Sequence, residues 1–303
     1  MRVLVTGANG YVGRAVVASL RTHGYEPIAM VRSESAGFDG AESVRVADLL
    51  DARSLQDAVR DVDAVCHLAG LTRARESMTE PLRYFRVNTG GTIALLEAMQ
   101  AAGVQRIVFA STGSIYGTPD RQPMTEDLPP APPHPYAASK LAAELAIESQ
   151  CMGRNLAAVI IRMLNVAGGT DRDPTRLIPR ALAAAVGTSV LAVNGDGSTV
   201  RDYLHITDAA EAFVAGVGRV PDLGRSDTYN IGSGSGTSVS EVIATVEKVT
   251  GQRVSVDPRP PVVEPPRLVS DVSKAASELN WKPRHSDIEA IVRDAWFSGA
   301  AGS

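Results

Sequence analysis

The stretch that decides the fold is Val3-Leu4-Val5-Thr6-Gly7-Ala8-Asn9-Gly10-Tyr11-Val12-Gly13, which joins an apolar strand, a glycine-rich turn and a helix start. Gly7 permits a sharp turn, Gly10 lets backbone N–H groups approach a pyrophosphate, and Gly13 allows close contact between helix and sheet. Because the three glycines follow the first strand and precede an amphipathic helix, they predict a dinucleotide-binding turn.

Apolar runs and helical patterns alternate through residues 1–165. Strands are predicted at 3–6, 27–31, 44–46, 64–68, 107–111 and 157–162, and helices at 12–22, 54–59, 82–102 and 136–151. Such alternation is typical of parallel strands joined by crossover helices. We therefore predict an α/β fold with a Rossmann-type doubly wound parallel sheet.

The pattern is looser beyond Asn165, where helices are predicted at 176–185, 208–217, 239–249, 274–279 and 288–296. We expect an NAD(P)-binding domain at 1–165 and a smaller, discontinuous, mixed α/β substrate lobe at 166–303, with segments of 190–232 returning to the first domain. Two proline-rich segments, 119–135 and 258–266, are predicted to lack regular secondary structure. The first is either a rim of the site or a plain surface connection.

The end of the second predicted strand bears on the choice of cofactor. A site that prefers NAD offers Asp or Glu to the ribose there, but this chain reads Met30-Val31-Arg32-Ser33. Arg32 could receive the 2′-phosphate of NADP, or it could be a solvated surface charge. Asp48-Leu49, after the third strand, is placed to meet the adenine, or Asp48 is a turn residue. The sequence thus leaves NAD and NADP open.

Lys140, one of only four lysines, lies four residues after Tyr136. On a helix this spacing places both side chains on one face. A phenol has a pKa near 10, so it can act as a base at neutral pH only when its anion is stabilised. A neighbouring ammonium can provide that stabilisation, and the pair therefore predicts a tyrosine base of the kind used by oxidoreductases.

Composition excludes several other classes of function. A net charge of −4 gives no sign of nucleic-acid binding, and no apolar run is long enough to predict a membrane span. The chain starts directly on a strand-like run, and its two cysteines are unpatterned, so we expect a cytoplasmic protein. The five histidines are scattered, and no metal site is predicted.

The glycine turn and Tyr136-Ala-Ala-Ser-Lys140 together resemble extended short-chain dehydrogenases/reductases of the NAD-dependent, nucleotide-sugar epimerase/dehydratase family. The similarity runs nearly from end to end. It continues through His67-Leu-Ala-Gly70, Val87-Asn-Thr-Gly-Gly-Thr92, Ser111-Thr-Gly-Ser-Ile-Tyr-Gly117, Arg162-Met-Leu-Asn-Val166, Gly195-Asp-Gly197, Val200-Arg-Asp-Tyr-Leu-His205, Tyr229-Asn-Ile-Gly-Ser-Gly234 and Asp271-Val-Ser-Lys-Ala275.

The resemblance implies a role for each matched residue. Tyr136 would take a proton from a sugar hydroxyl, Lys140 would lower its pKa and hold the nicotinamide ribose, and Thr112 would hydrogen-bond the reacting oxygen. The implied cofactor contacts are Gly7, Asn9, Gly10, Tyr11, Val12, Gly13, Arg32, Asp48, Leu49, Leu68, Ala69, Gly70, Asn88, Tyr136 and Lys140. The implied substrate contacts are Arg73, Ser114, Asn165, Arg201 and Arg259, with Asn165 and Arg201 on the nucleotide diphosphate.

Departures from the family pattern narrow the choice of reaction. Dehydratases of this family need an acidic pair just after the Thr, and the related decarboxylases need a Glu at the second place. Here Gly113-Ser114 stands there, so no carboxylate is placed for either reaction. The Arg-x-Gly-Asp-like stretch near the C-terminus is also altered: Arg259 is shifted, and Arg259 or Arg267 would have to substitute. Arg73 and Arg75 could meet a charged substrate group or simply start a solvated helix.

The leading hypothesis is a nucleotide-sugar epimerase, similar to the UDP-glucose/galactose 4-epimerases, that oxidises C4 transiently with bound NAD. The alternative is an NADPH-dependent 4-ketoreductase, which the missing acidic residue at Val31 and the altered loop favour. A non-catalytic NAD(P) sensor is a third possibility, but it would be expected to have lost Tyr136 or Lys140. The substrate is expected to be UDP- or dTDP-linked, and the resemblance implies a homodimer formed by helices 82–102 and 136–151.

Overall fold

The fold was analysed in a computed structural model, which describes residues 1–33, 41–153 and 156–300. Its centre is a seven-stranded sheet in which every pairing is parallel, in the order β10-β6-β5-β4-β1-β2-β3. The strands of this sheet are β1 (Arg2–Thr6), β2 (Glu26–Val31), β3 (Ser43–Val46), β4 (Ala64–His67), β5 (Arg106–Thr112), β6 (Ala157–Met163) and β10 (Ser226–Ile231). The predicted doubly wound parallel sheet is confirmed.

Some helices cover both faces of this sheet, and others share a separate apolar cluster in the smaller lobe. They are α1 (Tyr11–Thr22), α2 (Ala52–Ala58), α3 (Ala74–Thr79), α4 (Pro81–Tyr84), α5 (Gly91–Ala102), α6 (Pro135–Met152), α7 (Leu177–Ala185), α8 (Ile206–Gly218), α9 (Val239–Thr250), α10 (Ser273–Glu278) and α11 (Ile288–Ala300). One apolar cluster joins α1 and α8 to one face through residues such as Val16 and Phe213. A second joins α5 and α6 to the other face through residues such as Leu95 and Ile147.

The helix predicted at 82–102 is wrong as a single element. Its first part is α4, residues Phe85–Gly90 form a π-helical turn, and α5 begins only at Gly91. Within the turn, Asn88 is buried and its carbonyl accepts a hydrogen bond from the Thr92 hydroxyl at 2.6 Å. π-Helical turns often coincide with functional sites, and this one carries a predicted cofactor residue.

The smaller lobe contains two further sheets. β9 (Val200–His205) pairs with β7 (Asn165–Ala167), β11 (Gly236–Ser238) and β13 (Arg267–Leu268), while β8 (Leu191–Asn194) pairs with β12 (Val256–Arg259). The prediction that 258–266 lacks regular structure is therefore wrong at its start, because β12 includes Pro258. A proline is tolerated in an edge strand, where its missing N–H costs no ladder bond.

The proline-rich segment 119–135 is not a plain surface connection. Met124 is fully buried, its N–H donates to the Val269 carbonyl at 2.7 Å, and its own carbonyl accepts from Asp271 N–H. The carboxylate of Glu126 accepts a hydrogen bond from the Asn230 N–H at 2.7 Å. These contacts tie the segment just before Tyr136 to the C-terminal part of the chain. No helix among the described residues has the length and apolar character that crossing a bilayer requires.

Candidate active site

The site lies where the chain reverses direction across the sheet. β1 and β4 are neighbours, but β2 and β3 extend to one side of them and β5, β6 and β10 to the other. In such sheets a crevice opens at the carboxyl ends of the two central strands. The glycine turn follows β1, and Leu68-Ala69-Gly70 follows β4. The two segments therefore meet at this crevice.

The glycine turn is packed so tightly that side chains do not fit. Gly7 has φ +66°, and a Cβ there would lie 2.9 Å from the backbone of Ala69. A Cβ on Gly13 would lie 2.2 Å from the Gly7 carbonyl oxygen. The bare backbone at the start of α1 can thus be approached closely by a ligand, as a pyrophosphate requires.

A cleft of about 520 Å³ extends from this turn. Of the predicted cofactor residues it is lined by Gly7, Asn9, Gly10, Tyr11, Val12, Gly13, Arg32, Asp48, Leu49, Leu68, Ala69 and Gly70. Arg32 is exposed at the end of β2, whereas Leu49 is buried. An elongated cleft with a bare backbone at its middle and apolar walls at one end fits a dinucleotide.

Polar side chains beneath the cleft hold the segment after β4 in place. The Thr6 hydroxyl accepts hydrogen bonds from the N–H groups of Leu68 (3.1 Å) and Ala69 (3.0 Å). Asn88 is buried beside Gly70; its amide accepts from Leu71 N–H at 2.8 Å and donates to Ser139 Oγ at 3.0 Å. Asn88 therefore does not line the cleft but fixes the Gly70-Leu71 loop against α6.

His67, at the end of β4, is a structural residue. It is 1 % exposed, and its ring nitrogens lie 2.8 Å from Thr6 Oγ1 and 3.0 Å from Thr92 Oγ1. Burial, with a smaller contribution from the charge of Lys140, lowers its pKa to about 3, so the ring is neutral. Among the described residues no group of His, Cys, Asp or Glu is arranged to hold a metal ion.

Tyr136 and Lys140 lie on the first two turns of α6, which begins at Pro135. His134 caps this helix, with Nδ1 accepting the Ala137 N–H at 3.1 Å. The Lys140 ammonium is buried; it donates to the Ala110 carbonyl at 2.8 Å and lies 4.6 Å from the centre of the Phe109 ring. Lys140 Nζ would also lie 3.5 Å from a Cβ on Gly70, so it stands directly behind the cleft.

Thr112 brings the end of β5 to the same point. Its hydroxyl is buried, accepts the Ser114 N–H at 3.1 Å and hydrogen-bonds the Tyr136 phenol. Ser114 lies in the following 3-10 turn, Gly113–Tyr116. The structure thus brings together Thr112, Tyr136 and Lys140, from β5 and α6. None of the three lines the cleft itself, but Lys140 stands directly behind Gly70, which does.

Burial is the main influence on the pKa values of both Tyr136 and Lys140. Burial dominates and raises the pKa of Tyr136, while the hydrogen bond from Thr112 and the charge of Arg176 lower it. Burial lowers the pKa of Lys140 to about 8, against the opposing influence of Glu144. The groups that lower the pKa of Tyr136 in the structure are Thr112 and Arg176, and the role expected for Lys140 stays a prediction.

The two residues expected at a diphosphate, Asn165 and Arg201, come from the paired strands β7 and β9. The Asn165 amide donates to the Asp202 carbonyl at 3.0 Å. Arg201 forms an ion pair with Glu264 at 2.7 Å and donates to the Pro265 carbonyl at 2.8 Å. The second proline-rich segment therefore covers the guanidinium of Arg201.

Arg73 and Arg259 are less closely tied to this site. Arg73 begins α3, is exposed, and helps to lower the pKa of Asp173 across the cleft. Arg259 is exposed on β12, where Nη2 lies 2.5 Å from the carboxylate of Asp257 on the same strand.

Three side chains near Tyr136 were not among the predicted site residues. The Tyr84 ring meets the Tyr136 ring edge-on at 6.3 Å, and the His134 ring stacks on it at 5.8 Å. Arg176 lines the cleft and lies with Cζ 5.2 Å from the centre of the Tyr11 ring. The sequence could have indicated His134, because it precedes a proline at the first position of a helix and so can cap that helix. It gave no comparable indication for Tyr84 or Arg176.

Comparisons with known proteins agree with this geometry. The model of the NAD dependent epimerase/dehydratase family matches residues 3–232. The UDP-glucose 4-epimerase of Corynebacterium glutamicum is 36% identical, with 100% of this chain and 97% of that protein covered. That of Azospirillum brasilense is 38% identical, covering 97% of this chain and 90% of that protein.

Solved structures show the same likeness. The UDP-glucose 4-epimerase of Brucella ovis in complex with NAD superposes with a TM-score of 0.93 at 32% identity, covering 98% of each chain. Because the family model spans more than half of the chain and the curated relatives cover it nearly completely, the chain belongs to the NAD dependent epimerase/dehydratase family.

Proposed function

We propose that this protein is a UDP-sugar 4-epimerase, which inverts C4 of the sugar by transient oxidation with bound NAD. The observation that carries the proposal is the convergence of Thr112, Tyr136 and Lys140 behind Gly70, which lines a cleft that fits a dinucleotide. The full-length similarity to UDP-glucose 4-epimerases supports the choice of reaction.

Tyr136 serves as the base that takes the proton of the sugar 4-hydroxyl and later returns it. The hydrogen bond from Thr112 lowers the pKa of the phenol and so favours the anion that takes the proton. When bound, NAD would supply a reversible acceptor for the hydride from C4 of the sugar. The Lys140 ammonium, held by the Ala110 carbonyl beside Gly70, contributes positive charge behind the cleft and donors for the nicotinamide ribose.

The substrate nucleotide is held by the smaller lobe, through Asn165 and Arg201. Arginine suits a diphosphate because its donors form a rigid fork. Arg201 is now engaged by Glu264, so substrate binding exchanges or shares that contact. We propose that residues 1–165 form the cofactor domain and residues 166–303 the substrate lobe. Two elements of the second region return to the first: β10 pairs with β6 of the main sheet, and α8 packs against that sheet.

We take NAD rather than NADP as the resident cofactor. An epimerase returns its cofactor to the starting redox state, so it does not draw on an NADPH supply. The Brucella ovis enzyme named above is in complex with NAD, which supports the choice. The 4-ketoreductase alternative rests on Arg32 and the altered C-terminal loop, and neither feature of the structure favours it over epimerisation.

We also propose that the protein is a cytoplasmic homodimer. Large apolar side chains are exposed on α3 to α6, namely Met78, Leu82, Ile93, Leu145 and Met152. Such a face is better covered by a second copy than left in water, and the family resemblance implied this surface. Both cysteines are free and buried, as suits a reducing compartment.

The test is the cofactor content and redox demand of the purified protein. Bound nucleotide is extracted and identified by mass, and interconversion of UDP-glucose and UDP-galactose is followed together with absorbance at 340 nm. We expect co-purified NAD, sugar interconversion and no net absorbance change. One-for-one oxidation of NADPH with a 4-keto-sugar would instead identify the ketoreductase.

A matched pair of variants isolates the base. Tyr136→Phe should abolish interconversion while NAD remains bound, because only the phenol oxygen is removed. Tyr25→Phe is the control, since Tyr25 precedes β2 at the opposite edge of the sheet. Activity that survived in Tyr136→Phe would contradict the mechanism.

A further inference from the structure

Arg176 is the least explained cation of the cofactor cleft. The arginines that line the cleft are Arg32, Arg83 and Arg176. Arg83 is tied to the carboxylates of Glu76 and Glu80, and Arg32 stands at the far end, after β2. Arg176 comes from the other lobe, immediately before α7, and reaches the ring of Tyr11 in the glycine turn.

The loop before Arg176 holds its guanidinium without saturating it. Nη1 lies 3.1 Å from the Asp171 carboxylate and Nε 3.9 Å from that of Asp173, while Nη2 makes no hydrogen bond to a described residue. Asp173 is itself fixed, because its carboxylate accepts the N–H and the hydroxyl of Thr175. The Arg176 side chain remains 38% exposed. The fork is thus positioned in advance with donors still free.

The Arg176 guanidinium lies between the start of α1 and the Tyr136 phenol. On one side is Tyr11, whose hydroxyl donates to the Gly168 carbonyl at 2.7 Å and so joins the glycine turn to the loop after β7. On the other side is Tyr136, close enough for the charge of Arg176 to act on its phenol. A guanidinium that keeps unoccupied donors therefore lines the cleft between the start of α1 and Tyr136.

The arginine expected from the C-terminal loop does not supply this charge. Arg259 pairs with Asp257 on its own strand, and Arg267, which could stand in for it, lies on β13 beside β9; neither lines the cofactor cleft. A diphosphate carries about two negative charges and is best bound by paired forks. Among the arginines that line the cofactor cleft, Arg176 is therefore the one whose role is still to be assigned.

We propose that Arg176 is a diphosphate-binding residue of this enzyme. The diphosphate is either that of the UDP-sugar, in which case the inference rests on the proposed function, or the pyrophosphate of the cofactor. Both present the same chemistry to the fork, so the experiment must separate them.

The test compares Arg176→Gln, Arg176→Lys and the control Arg172→Gln in the NAD-loaded protein. Arg172 lies in the same loop, is exposed and does not line the cleft. UDP binding is measured by isothermal titration, and NAD retention by the rate at which nucleotide is lost on dilution. We expect Arg176→Gln to weaken UDP binding, or to hasten NAD loss, by about 10- to 100-fold, as for loss of a charge-assisted contact.

Arg176→Lys should recover part of the effect, because it keeps the charge but loses the fork, and Arg172→Gln should match the wild type. Weakened UDP binding assigns the substrate diphosphate, and faster NAD loss assigns the cofactor. If neither changes by more than about twofold in a folded Arg176→Gln protein, the proposal is overturned. Should that variant not fold, an Arg176→Lys protein with wild-type values in both assays overturns it equally.

The outcome is separable from that of the proposed function. A wild-type protein that bound no UDP would contradict the proposed function, and the NAD arm alone would then decide whether Arg176 binds a diphosphate.

Discussion

Glu144 and Arg162 form an ion pair in the interior, one helical turn beyond Lys140. The Glu144 side chain is 1% exposed and that of Arg162 8%, and Arg162 Nη2 lies 2.6 Å from the carboxylate. Ser111 also donates to Glu144, and Arg162 Nη1 donates to the Tyr116 hydroxyl at 2.9 Å. The network fixes α6 against β5 and β6, the elements that place Lys140 and Thr112.

We predict that Glu144→Gln lowers the free energy of unfolding by about 3–5 kcal/mol, because it leaves the Arg162 charge buried and uncompensated. For 303 residues the entropy of unfolding near the transition is about 0.6 kcal/mol/K, so the melting temperature should fall by about 5–8 °C. Urea unfolding followed by the fluorescence of buried Trp281 measures the change.

The control is Glu289→Gln, which breaks an exposed ion pair of the same 2.6 Å length with Lys248 and should change stability little. The double variant Glu144→Gln/Arg162→Met removes both buried charges, so its loss should fall at least about 2 kcal/mol short of the sum of the single losses. A loss below about 1 kcal/mol in Glu144→Gln, or strict additivity in the cycle, would refute the reasoning that desolvation makes this pair interdependent.

Three further outcomes follow from the site. Thr112→Val should lower kcat about 10- to 100-fold and move the acidic limb of the pH–rate profile to higher pH, because the hydrogen bond that is lost lowers the pKa of the Tyr136 base; an unshifted profile would count against that bond. In the cofactor-free protein, Lys140 has a pKa of about 8 in the folded state against 10.5 in the unfolded state. Wild-type stability should therefore rise by about 2 kcal/mol relative to that of Lys140→Met between pH 7.5 and 10. Urea titrations of both proteins measure this rise, and equal slopes of stability against pH would contradict it. Gly13→Ala should abolish NAD binding, because the methyl group would meet the Gly7 carbonyl at 2.2 Å; NAD content near wild type would exclude this packing argument.

The parts of the fold that the sequence predicted well are local in origin. Strand and helix periodicity, the glycine turn and the spacing of Tyr136 and Lys140 each depend on residues within one element or two adjacent ones. The predicted helix at 82–102 failed because side-chain contacts of Asn88 with Leu71 and Ser139, far away in sequence, favour a π-helical turn there. Propensity within the segment carries no information about those partners.

The candidate site likewise combines features of local origin with features that depend on residues far apart in the sequence. The glycine turn that lines the cleft could be predicted from a motif. Arg176 could not, because it reaches Tyr11 from a loop some 165 positions later in the chain, in the other lobe. The displacement of Arg259 was visible in the sequence as a departure from the family pattern. What replaces it depends on how two lobes approach each other, and that is a property of tertiary packing alone.

Tyr136 illustrates that the spacing of two residues in the sequence can predict their proximity but not the pKa of either side chain. The four-residue interval correctly predicts that Tyr136 and Lys140 share α6, but the ammonium is occupied by the Ala110 carbonyl and itself disfavoured by burial. Burial also raises the pKa of the Tyr136 phenol, so the proposed proton abstraction would depend on the groups that oppose this rise, Thr112 and Arg176. Burial is set by the packing of α6 on β5, which the Glu144–Arg162 pair maintains. The strength of the base is therefore determined by contacts between elements, and the motif determines only where the base stands.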